Sequence, residues 1–225
     1  MRKMYLSAPL PFVGQKRMLA KEFMKVLEQY PDGTLFVDLF GGSGLLSHIT
    51  KSLKPHSTVI YNDFDNYRFR MKHIPQTNQL LADIREMVGN SVPRHKIIKG
   101  ELRERIFSRI EQEENSTGYV DFITLSSSIL FSMKYKLSVQ DMRKEALYNN
   151  IRKTGYPECT DYLEGLEIVS CDYKEVFNRY KDIPGVVFLV DPPYLSTDVG
   201  TYNMYWNMAD YLDVLNVLKG HSYVY

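Results

Sequence analysis

The sequence contains few cysteines, and its histidines are scattered. Among 225 residues only Cys159 and Cys171 are cysteines, and they form no Cys-x-x-Cys pair. Such a chain suits a reducing compartment, so we expect a cytoplasmic protein without structural disulfides. The five histidines show none of the spacings that hold zinc, so we expect no metal site. These residues therefore indicate neither disulfide nor metal chemistry.

An excess of charge of one sign and long apolar runs are also missing. Lys and Arg number 28 against 27 Asp and Glu, which leaves a net charge of +1. The net charge of the chain therefore gives no indication of a nucleic-acid partner. No segment approaches the roughly 20 apolar residues that cross a bilayer. Prolines interrupt the apolar part of the basic amino terminus early, so we expect no signal peptide.

The apolar segments that are present indicate an α/β fold. Strands and helices alternate at both ends of the chain. Four strands are predicted, at residues 34–40, 58–62, 167–171 and 186–190. The segment between the second and third strands looks helical and lacks this alternation. The chain is long enough for one domain with an insertion. We therefore predict a Rossmann-like domain formed by residues 1–74 and 167–225, and a helical insert at 75–166.

The last of these strands runs directly into Asp191, Pro192, Pro193 and Tyr194. The first proline lacks a backbone N–H, and each proline restricts the residue before it, so the strand must end there. A carboxylate, a carbonyl and an aromatic ring are thus presented together at the carboxyl end of a strand. Ligands bind at such ends in open α/β sheets. The alternative is a rigid turn without chemistry.

The first strand runs into a glycine-rich loop, Gly41-Gly42-Ser43-Gly44, and then into a helix at 45–53. Glycine lets the backbone approach a ligand closely, and a helix amino terminus offers unpaired N–H groups. The spacing differs from the Gly-x-Gly-x-x-Gly of dinucleotide-binding folds. The loop indicates a nucleotide-binding site, with a plain strand-to-helix turn as the alternative.

Acids follow two further strands. Asp63 lies about 20 residues beyond the glycine loop, where related folds bind a ribose, and Phe64 could lie against a base. We interpret Asp65 as a helix N-cap. Asp172 begins a segment close to a capping box, and it also stands at a strand end beside a potential ligand base. The two roles of Asp172 are compatible.

The predicted insert is locally basic. Residues 94–155 contain 12 Lys and Arg against 8 Asp and Glu, an excess of +4. Tyrosines are interleaved with the cations. The pattern suits an insert that contacts phosphates. A solvated helical face would account for it equally well.

In this order, the motifs resemble those of the Dam-like (D12 class) adenine-specific DNA methyltransferases, over most of the chain. Five segments carry the resemblance: the amino-terminal cofactor segment 11–16, the glycine-rich motif 36–44, the ribose-binding acid in 61–63, the adenine-flanking segment 171–173 and the catalytic tetrapeptide 191–194. The insert occupies the place of the family's target-recognition region.

The resemblance implies methyl transfer from S-adenosyl-L-methionine to the N6 amino group of adenine in double-stranded DNA. The adenine would be flipped out of the helix. Asp191 and the carbonyl of Pro192 would accept the amino hydrogens, Pro193 completes the tetrapeptide, and Tyr194 would stack on the base. The implied cofactor-binding residues are Phe12, Lys16, Asp38, Phe40, Gly41, Gly42, Ser43, Gly44, Asp63, Phe64, Asp172, Tyr173 and Asp191. Neither a metal nor a membrane is required.

Two departures from the family pattern limit the prediction. The segment 130–136 lacks the Asn- and Gly-containing pattern of GATC-methylating members, so no recognition sequence is predicted. The chain also ends where a fifth strand begins, so we expect the carboxyl-terminal strands of the family fold to be missing. Cytosine-N4 methylation, an RNA substrate and a catalytically silent DNA- or cofactor-binding remnant are the alternatives. The oligomeric state and a restriction endonuclease partner stay open, and a bacterial or phage-infected cytoplasm is expected.

Overall fold

A computed structural model describes residues 3–131, 134–192 and 208–224. Within these ranges the helices are α1 (Ala20–Leu27), α2 (Leu45–Leu53), α3 (Tyr67–Lys72), α4 (Ile74–Val88), α5 (Gly100–Thr117), α6 (Phe122–Ile129), α7 (Val139–Arg143), α8 (Tyr173–Tyr180) and α9 (Met208–Leu218). The strands are β1 (Phe36–Asp38), β2 (Val59–Asn62), β3 (Ile97–Ile98), β4 (Leu147–Tyr148), β5 (Glu167–Val169), β6 (Val187–Leu189) and β7 (Ser222–Val224).

The chain divides into two compact units. The first comprises Met1–Ala8, Phe12–Phe69 and Cys159–Tyr225, and the second Pro9–Pro11 and Arg70–Glu158. The first unit contains a five-stranded sheet, and the second contains α4 to α7 with the two short strands β3 and β4. The interpretation of the segment 75–166 as a target-recognition insert stays a prediction.

The sheet of the first unit has the strand order β5-β2-β1-β6-β7. All four pairings between its strands are parallel, and Val37 of β1 lies between Ile60 of β2 and Phe188 of β6. A parallel sheet that is covered on both faces needs apolar residues at consecutive positions. The uninterrupted apolar runs of these strands are explained by this burial.

Helices cover both faces of the sheet. On one face, α1 and α2 pack against alternate strand residues, which include Phe36, Val59 and Leu189. On the other face, α8 and α9 pack against Val37 and Phe188, among others. Because successive side chains of a strand point to opposite faces, neighbouring residues of one strand serve the two layers.

The strand order creates a crevice next to β1. The chain leaves β1 through α2 toward β2 on one side, whereas β6 is followed by α9 and β7 on the other side. Ligands in open α/β sheets bind at such a switch point, beyond the carboxyl ends of the strands. Those ends carry the glycine-rich loop 41–44 and Asp191.

The second unit is held together by a buried ion pair. Nε of Arg70 lies 3.1 Å from Oδ2 of Asp121, and both side chains are almost fully buried. Oγ1 of Thr124 accepts a hydrogen bond from Arg70 at 3.1 Å, and the carbonyl of Pro11 accepts another at 2.8 Å. A buried guanidinium needs such partners, since an unpaired buried charge is strongly destabilising.

Several element boundaries differ from those expected. The apolar residues at helical spacing after Gln15 predict a helix from that residue, but α1 begins at Ala20. Pro75 does not interrupt a helix but stands in the first turn of α4, where its missing N–H costs no hydrogen bond. The apolar, serine-rich segment from Phe122 to Tyr135 predicts a buried helix, but α6 ends at Ile129. The β3–β4 pair was not predicted, because two-residue strands carry no readable alternation. None of the helices in the described ranges has the length and apolar character that a bilayer crossing needs.

Candidate active site

An open cleft of about 1000 Å³ lies at the carboxyl ends of four strands in the first unit, a volume that includes solvent at its mouth. Its walls are formed by residues 12–16, 38–43 (with 45 and 46), 62, 64 and 65, 171–173, and 191 and 192. The amino-terminal segment thus joins the ends of β1, β2, β5 and β6. Most of the residues expected to bind a cofactor are among these walls.

The cleft brings together two motifs that are far apart in the sequence. Asp38 of β1 pairs in register with Leu189 of β6, so Asp191 follows two residues beyond that pairing partner. Asp191 and Pro192 therefore line the same cleft as the glycine-rich loop. Pro193 and Tyr194, which complete the predicted tetrapeptide, lie outside the described residues.

Lys16 forms an ion pair with Asp191. Its Nζ lies 2.7 Å from Oδ1 of Asp191, and the two side chains are only 13% and 23% exposed. The same ammonium donates to the carbonyl of Gly14 at 3.1 Å. Burial raises the pKa of Asp191, while the charge of Lys16 and its hydrogen bond lower it, with a net rise. The ion pair is partly shielded from solvent, so its two charges interact more strongly than they would in water.

Asp38 is buried at the end of β1 with an acceptor unused. Its Oδ2 accepts a hydrogen bond of 2.6 Å from the hydroxyl of Ser47. Its Oδ1 has no hydrogen-bond partner among the described residues. Burial chiefly, with a further contribution from the charge of Asp191, raises the pKa of Asp38 to about 7. A buried polar atom without a partner is unusual, and at the wall of a cleft it suggests a ligand group.

The glycine positions of the loop leave little room for a side chain. A Cβ atom at Gly41 would lie 2.3 Å from the ring of Tyr61. Gly42 and Gly44 have φ values of +49° and +71°, which favour glycine. The hydroxyl of Tyr61 lies 2.8 Å from the carbonyl of Gly42, to which it donates. This hydrogen bond from Tyr61 supports the backbone of the loop. The role of Tyr61 was not predicted from the sequence.

Asn62 ties three strand ends together. Its side-chain amide donates to the carbonyls of Leu39 and Cys171, each at 2.9 Å. Its Oδ1 accepts from the N–H of Cys171 at 3.1 Å. These bonds hold the ends of β1, β2 and β5 in fixed positions around the cleft. In the sequence, Asn62 stands directly before an acid, and this position does not indicate that its side chain links the strand ends.

The structure places the side chains of Asp63 and Asp65 differently at the end of β2. The carboxylate of Asp63 accepts hydrogen bonds from the backbone N–H groups of Tyr67 at 2.6 Å and Arg68 at 3.0 Å. Asp63 is 5% exposed and is not among the residues that line the cleft. Asp65, interpreted as the N-cap, lines the cleft together with Phe64. Asp63 therefore caps the first turn of α3, a role that was expected of Asp65, and the ribose contact expected of Asp63 stays a prediction.

Asp172 combines its two expected positions. Its Oδ1 accepts from the backbone N–H of Lys174 at 2.8 Å, which makes it the N-cap of α8, and it also lines the cleft. The bond goes to Lys174, not to Glu175 as a capping box requires. Next to it, the ring of Tyr173 lies 4.9 Å from that of Phe40. A contact with a ligand base stays a prediction.

The cleft is acidic. Among the described residues its lining includes Asp38, Asp65, Asp172 and Asp191 against one cation, Lys16. Such a wall suits a ligand that carries positive charge or several hydrogen-bond donors. Among the described residues no group of three or more His, Cys, Asp or Glu is arranged to hold a metal.

Comparison with known proteins gives two matches. The model of the family described as D12 class N6 adenine-specific DNA methyltransferase matches residues 12–219. A protein of Haemophilus influenzae strain Rd, named "Putative methyltransferase", is 38% identical over 224 residues. That alignment covers 97% of this chain and 75% of the Haemophilus protein. Both matches extend over all the segments that line the cleft.

Proposed function

The chain belongs to the D12 class N6 adenine-specific DNA methyltransferases, and from this we propose that its cleft binds S-adenosyl-L-methionine and an extruded adenine. The observation that carries the proposal is the shared cleft of Asp191, Pro192 and the loop 41–43. Transfer requires the methyl group and the target amine to meet, so a site split between separate pockets would not serve.

The residues of the cleft fit S-adenosylmethionine. The cofactor carries a sulfonium, an ammonium and two ribose hydroxyls. Oδ1 of Asp38 is a buried acceptor without a partner in the described part of the chain, and it suits the ammonium. We assign Asp65 to the ribose hydroxyls and the rings of Phe64 and Tyr173 to the adenine, because all three residues line the cleft. When bound, the cofactor supplies an electrophilic methyl group on a positively charged sulfur.

The chain's own task is to make the N6 amine nucleophilic. The lone pair of N6 is delocalised into the adenine ring, and acceptors on the two amino hydrogens concentrate electron density on the nitrogen. Oδ1 of Asp191 is held by Lys16, so Oδ2 is the oxygen available to the amine. The carbonyl of Pro192 is the second acceptor. Burial raises the pKa of Asp191, which makes this carboxylate a stronger base toward the proton that N6 releases.

The substrate base must leave the duplex before these groups can reach it. Base flipping costs a few kcal/mol, and stacking in a fitted pocket offsets that cost. Tyr194, directly after the tetrapeptide's prolines, is the residue that we assign to this stacking. The positioning of the amine in line with the methyl group then contributes much of the rate acceleration.

Product analysis tests the proposal. The protein is incubated with methyl-labelled cofactor and duplex DNA, the DNA is digested, and the labelled nucleoside is identified. We expect N6-methyladenine. We expect Asp191→Ala to lose at least 100-fold in transfer rate, with cofactor affinity close to that of the wild type, because the residue acts on the amine. The exposed Asp182→Ala serves as the control.

Three outcomes would contradict the proposal. N4-methylcytosine as the product would replace the target. Label in RNA but not in DNA would replace the substrate. Cofactor binding without any transfer would identify a catalytically silent protein. Full turnover by Asp191→Ala would remove the role given to that carboxylate.

A further inference from the structure

The basic residues between positions 94 and 155 of the second unit fall into two equal groups. Of the 12 Lys and Arg residues between 94 and 155, six form ion pairs with carboxylates: Arg103, Arg109, Lys134, Lys136, Arg143 and Lys144. The other six have no carboxylate partner within the described part of the chain: Arg94, Lys96, Lys99, Arg105, Arg152 and Lys153. The local excess of charge is therefore carried by the second group.

Strand pairing gathers part of this second group. The backbone N–H of Asn149 donates to the carbonyl of Lys96 at 2.9 Å, which extends the antiparallel β3–β4 pair by one residue. Two residue pairs further out, the guanidinium of Arg94 donates to the carbonyl of Ile151. The chain around Arg94 and Lys96 thus runs beside the segment that leads to Arg152.

A third arginine reaches the same segment from the end of α4. Nη1 of Arg85 donates to the carbonyl of Arg152 at 2.7 Å. The guanidinium of Arg152 itself lies 4.2 Å from the centre of the Tyr156 ring. The exposed Lys153 follows directly. We call five residues the basic patch: Arg85, Arg94, Lys96, Arg152 and Lys153.

The contacts of the patch hold its arginines without neutralising them. A backbone carbonyl is a neutral acceptor, so Arg85 and Arg94 keep their full charge and several free N–H donors. Anchoring restricts their rotamers, which lowers the entropy that a ligand must remove. A planar guanidinium group with unused N–H donors matches the geometry of the oxygens of a phosphate.

Few acids compete with the patch. Asp83 is engaged by Arg109 at 2.7 Å. Glu86, the residue after Arg85, is exposed and forms no ion pair in the described residues. The patch therefore carries a clear excess of positive charge in a chain whose total is only +1.

We propose that the basic patch binds backbone phosphates of duplex DNA. The choice of DNA as the partner rests on the proposed function; the patch itself is derived from the contacts above. Contacts to phosphates position a protein on the duplex without reading its sequence. The patch thus supplies affinity that is independent of the methylation site.

Two double substitutions test whether DNA binding depends on the basic patch or only on the total charge of the protein. Lys96→Gln with Lys153→Gln removes two charges from the patch, at exposed side chains without hydrogen bonds in the described structure. Lys99→Gln with Arg105→Gln removes two exposed charges of the same unit that are not part of the patch and have no carboxylate partner among the described residues, and it is the matched control. Binding of labelled duplex DNA is measured by fluorescence anisotropy at several salt concentrations, and circular dichroism checks the fold of each variant.

We expect the patch variant to reduce the slope of log K against log salt by about 2, because each lost phosphate contact contributes about 0.9. The control should keep the wild-type slope. Equal slopes in the two variants, whether both reduced or both unchanged, would overturn the patch. A single-stranded RNA that competes as well as duplex DNA would overturn the choice of partner.

Methyl transfer is measured separately, so the two proposals can fail separately. Patch-dependent DNA binding without any N6-methyladenine would refute the proposed function and leave the patch standing. Methylation by the wild type, with both variants binding alike, would refute the patch alone. A wild type that does not bind duplex DNA would refute both.

Discussion

At Asp191, burial and the ammonium of Lys16 shift one pKa in opposite directions. The ionised carboxylate is the form that accepts the amino hydrogens, so the transfer rate should fall as the pH drops below this pKa. Lys16→Met removes the opposing charge and raises the pKa further. We therefore expect the acid limb of the rate–pH profile to move to higher pH, as measured by single-turnover methylation.

The matched control for that experiment is Lys16→Arg, which keeps a positive charge beside the carboxylate. Its acid limb should stay closer to that of the wild type than the limb of Lys16→Met. Identical profiles for Lys16→Met and the wild type would show that the ion pair does not control the protonation of Asp191 during turnover.

Asp38 makes the folding stability depend on pH. Its pKa rises from the ordinary 3.8 to about 7 in the folded protein, so the folded state binds this proton more tightly than the unfolded state. Stability should therefore decrease as the pH rises from about 4 to 7, and stay reduced above 7. With 1.36 kcal/mol per pKa unit, the contribution is on the order of 4 kcal/mol at most.

Asp38→Asn removes this titration while it preserves the size of the side chain. Urea unfolding between pH 4 and 8 should show a smaller loss of stability for Asp38→Asn than for the wild type. The exposed Asp182→Asn provides the control and should follow the wild-type curve. If Asp38→Asn and the wild type lose stability in parallel, another group is responsible for the dependence.

Among the structural elements, the loop between β1 and α2 tolerates the least change. A Cβ at Gly41 would lie 2.3 Å from the ring of Tyr61 and 2.7 Å from the carbonyl of Asn62. Such overpacking costs about 1–3 kcal/mol or more. We expect Gly41→Ala to lower the unfolding free energy by at least that amount and to weaken cofactor binding, measured by urea unfolding and calorimetry.

Gly185→Ala separates this clash from backbone strain. Gly185 also has a positive φ, +76°, but a Cβ there would meet nothing within 4 Å. Its substitution should cost about 1 kcal/mol from strain alone. Equal losses for the two variants would mean that the ring of Tyr61 moves aside and that the loop is less constrained than its contacts indicate.

The elements that could be predicted from the sequence are those whose ends are marked by characteristic residues. The helix α2 has the predicted bounds Leu45–Leu53, because a glycine precedes it and the apolar spacing is regular. The helix α6 ends early at Ile129, although apolar residues continue. Apolar periodicity reports burial, and a buried segment need not stay helical. A short strand such as β3 is defined by its hydrogen bonds to another strand, here β4, and a single sequence does not reveal such pairing.

The positions of Asp63 and Asp65 show the same limit at a site. Sequence spacing brings both acids to the end of β2, but it does not determine which carboxylate turns toward α3. That choice depends on the backbone after the strand, where Asn66 has a φ of +55°. The predicted strand end was therefore informative about the region of the site and not about the individual side chain.

For the whole molecule, the sheet decides which distant residues meet. The second unit separates β1 from β6 in sequence, yet the two strands are hydrogen-bonded neighbours. Family resemblance and the rule for strand ends predicted this meeting of Asp191 with the loop 41–44. The ion pair of Lys16 and the unused oxygen of Asp38 could not be predicted, because they depend on side-chain positions at the crevice.

Ligand binding should stabilise the whole molecule, and this provides a test of the ribose assignment. S-adenosylmethionine at 100 times its dissociation constant stabilises the folded state by about 2.7 kcal/mol. For a protein of this size that corresponds to a rise in Tm of about 5–10 °C. We expect Asp65→Ala to lose most of this rise at the same cofactor concentration, because its carboxylate lines the cleft.

Asp63→Ala should show the opposite pattern, because its carboxylate accepts two backbone N–H groups at the start of α3. Each buried N–H left without a partner costs about 1–3 kcal/mol, so the Tm of the ligand-free variant should fall. At saturating cofactor, the remaining fold should still gain a rise similar to that of the wild type. Differential scanning fluorimetry measures both quantities in one titration. If Asp63→Ala instead keeps its ligand-free Tm and loses the rise, the ribose contact belongs to Asp63.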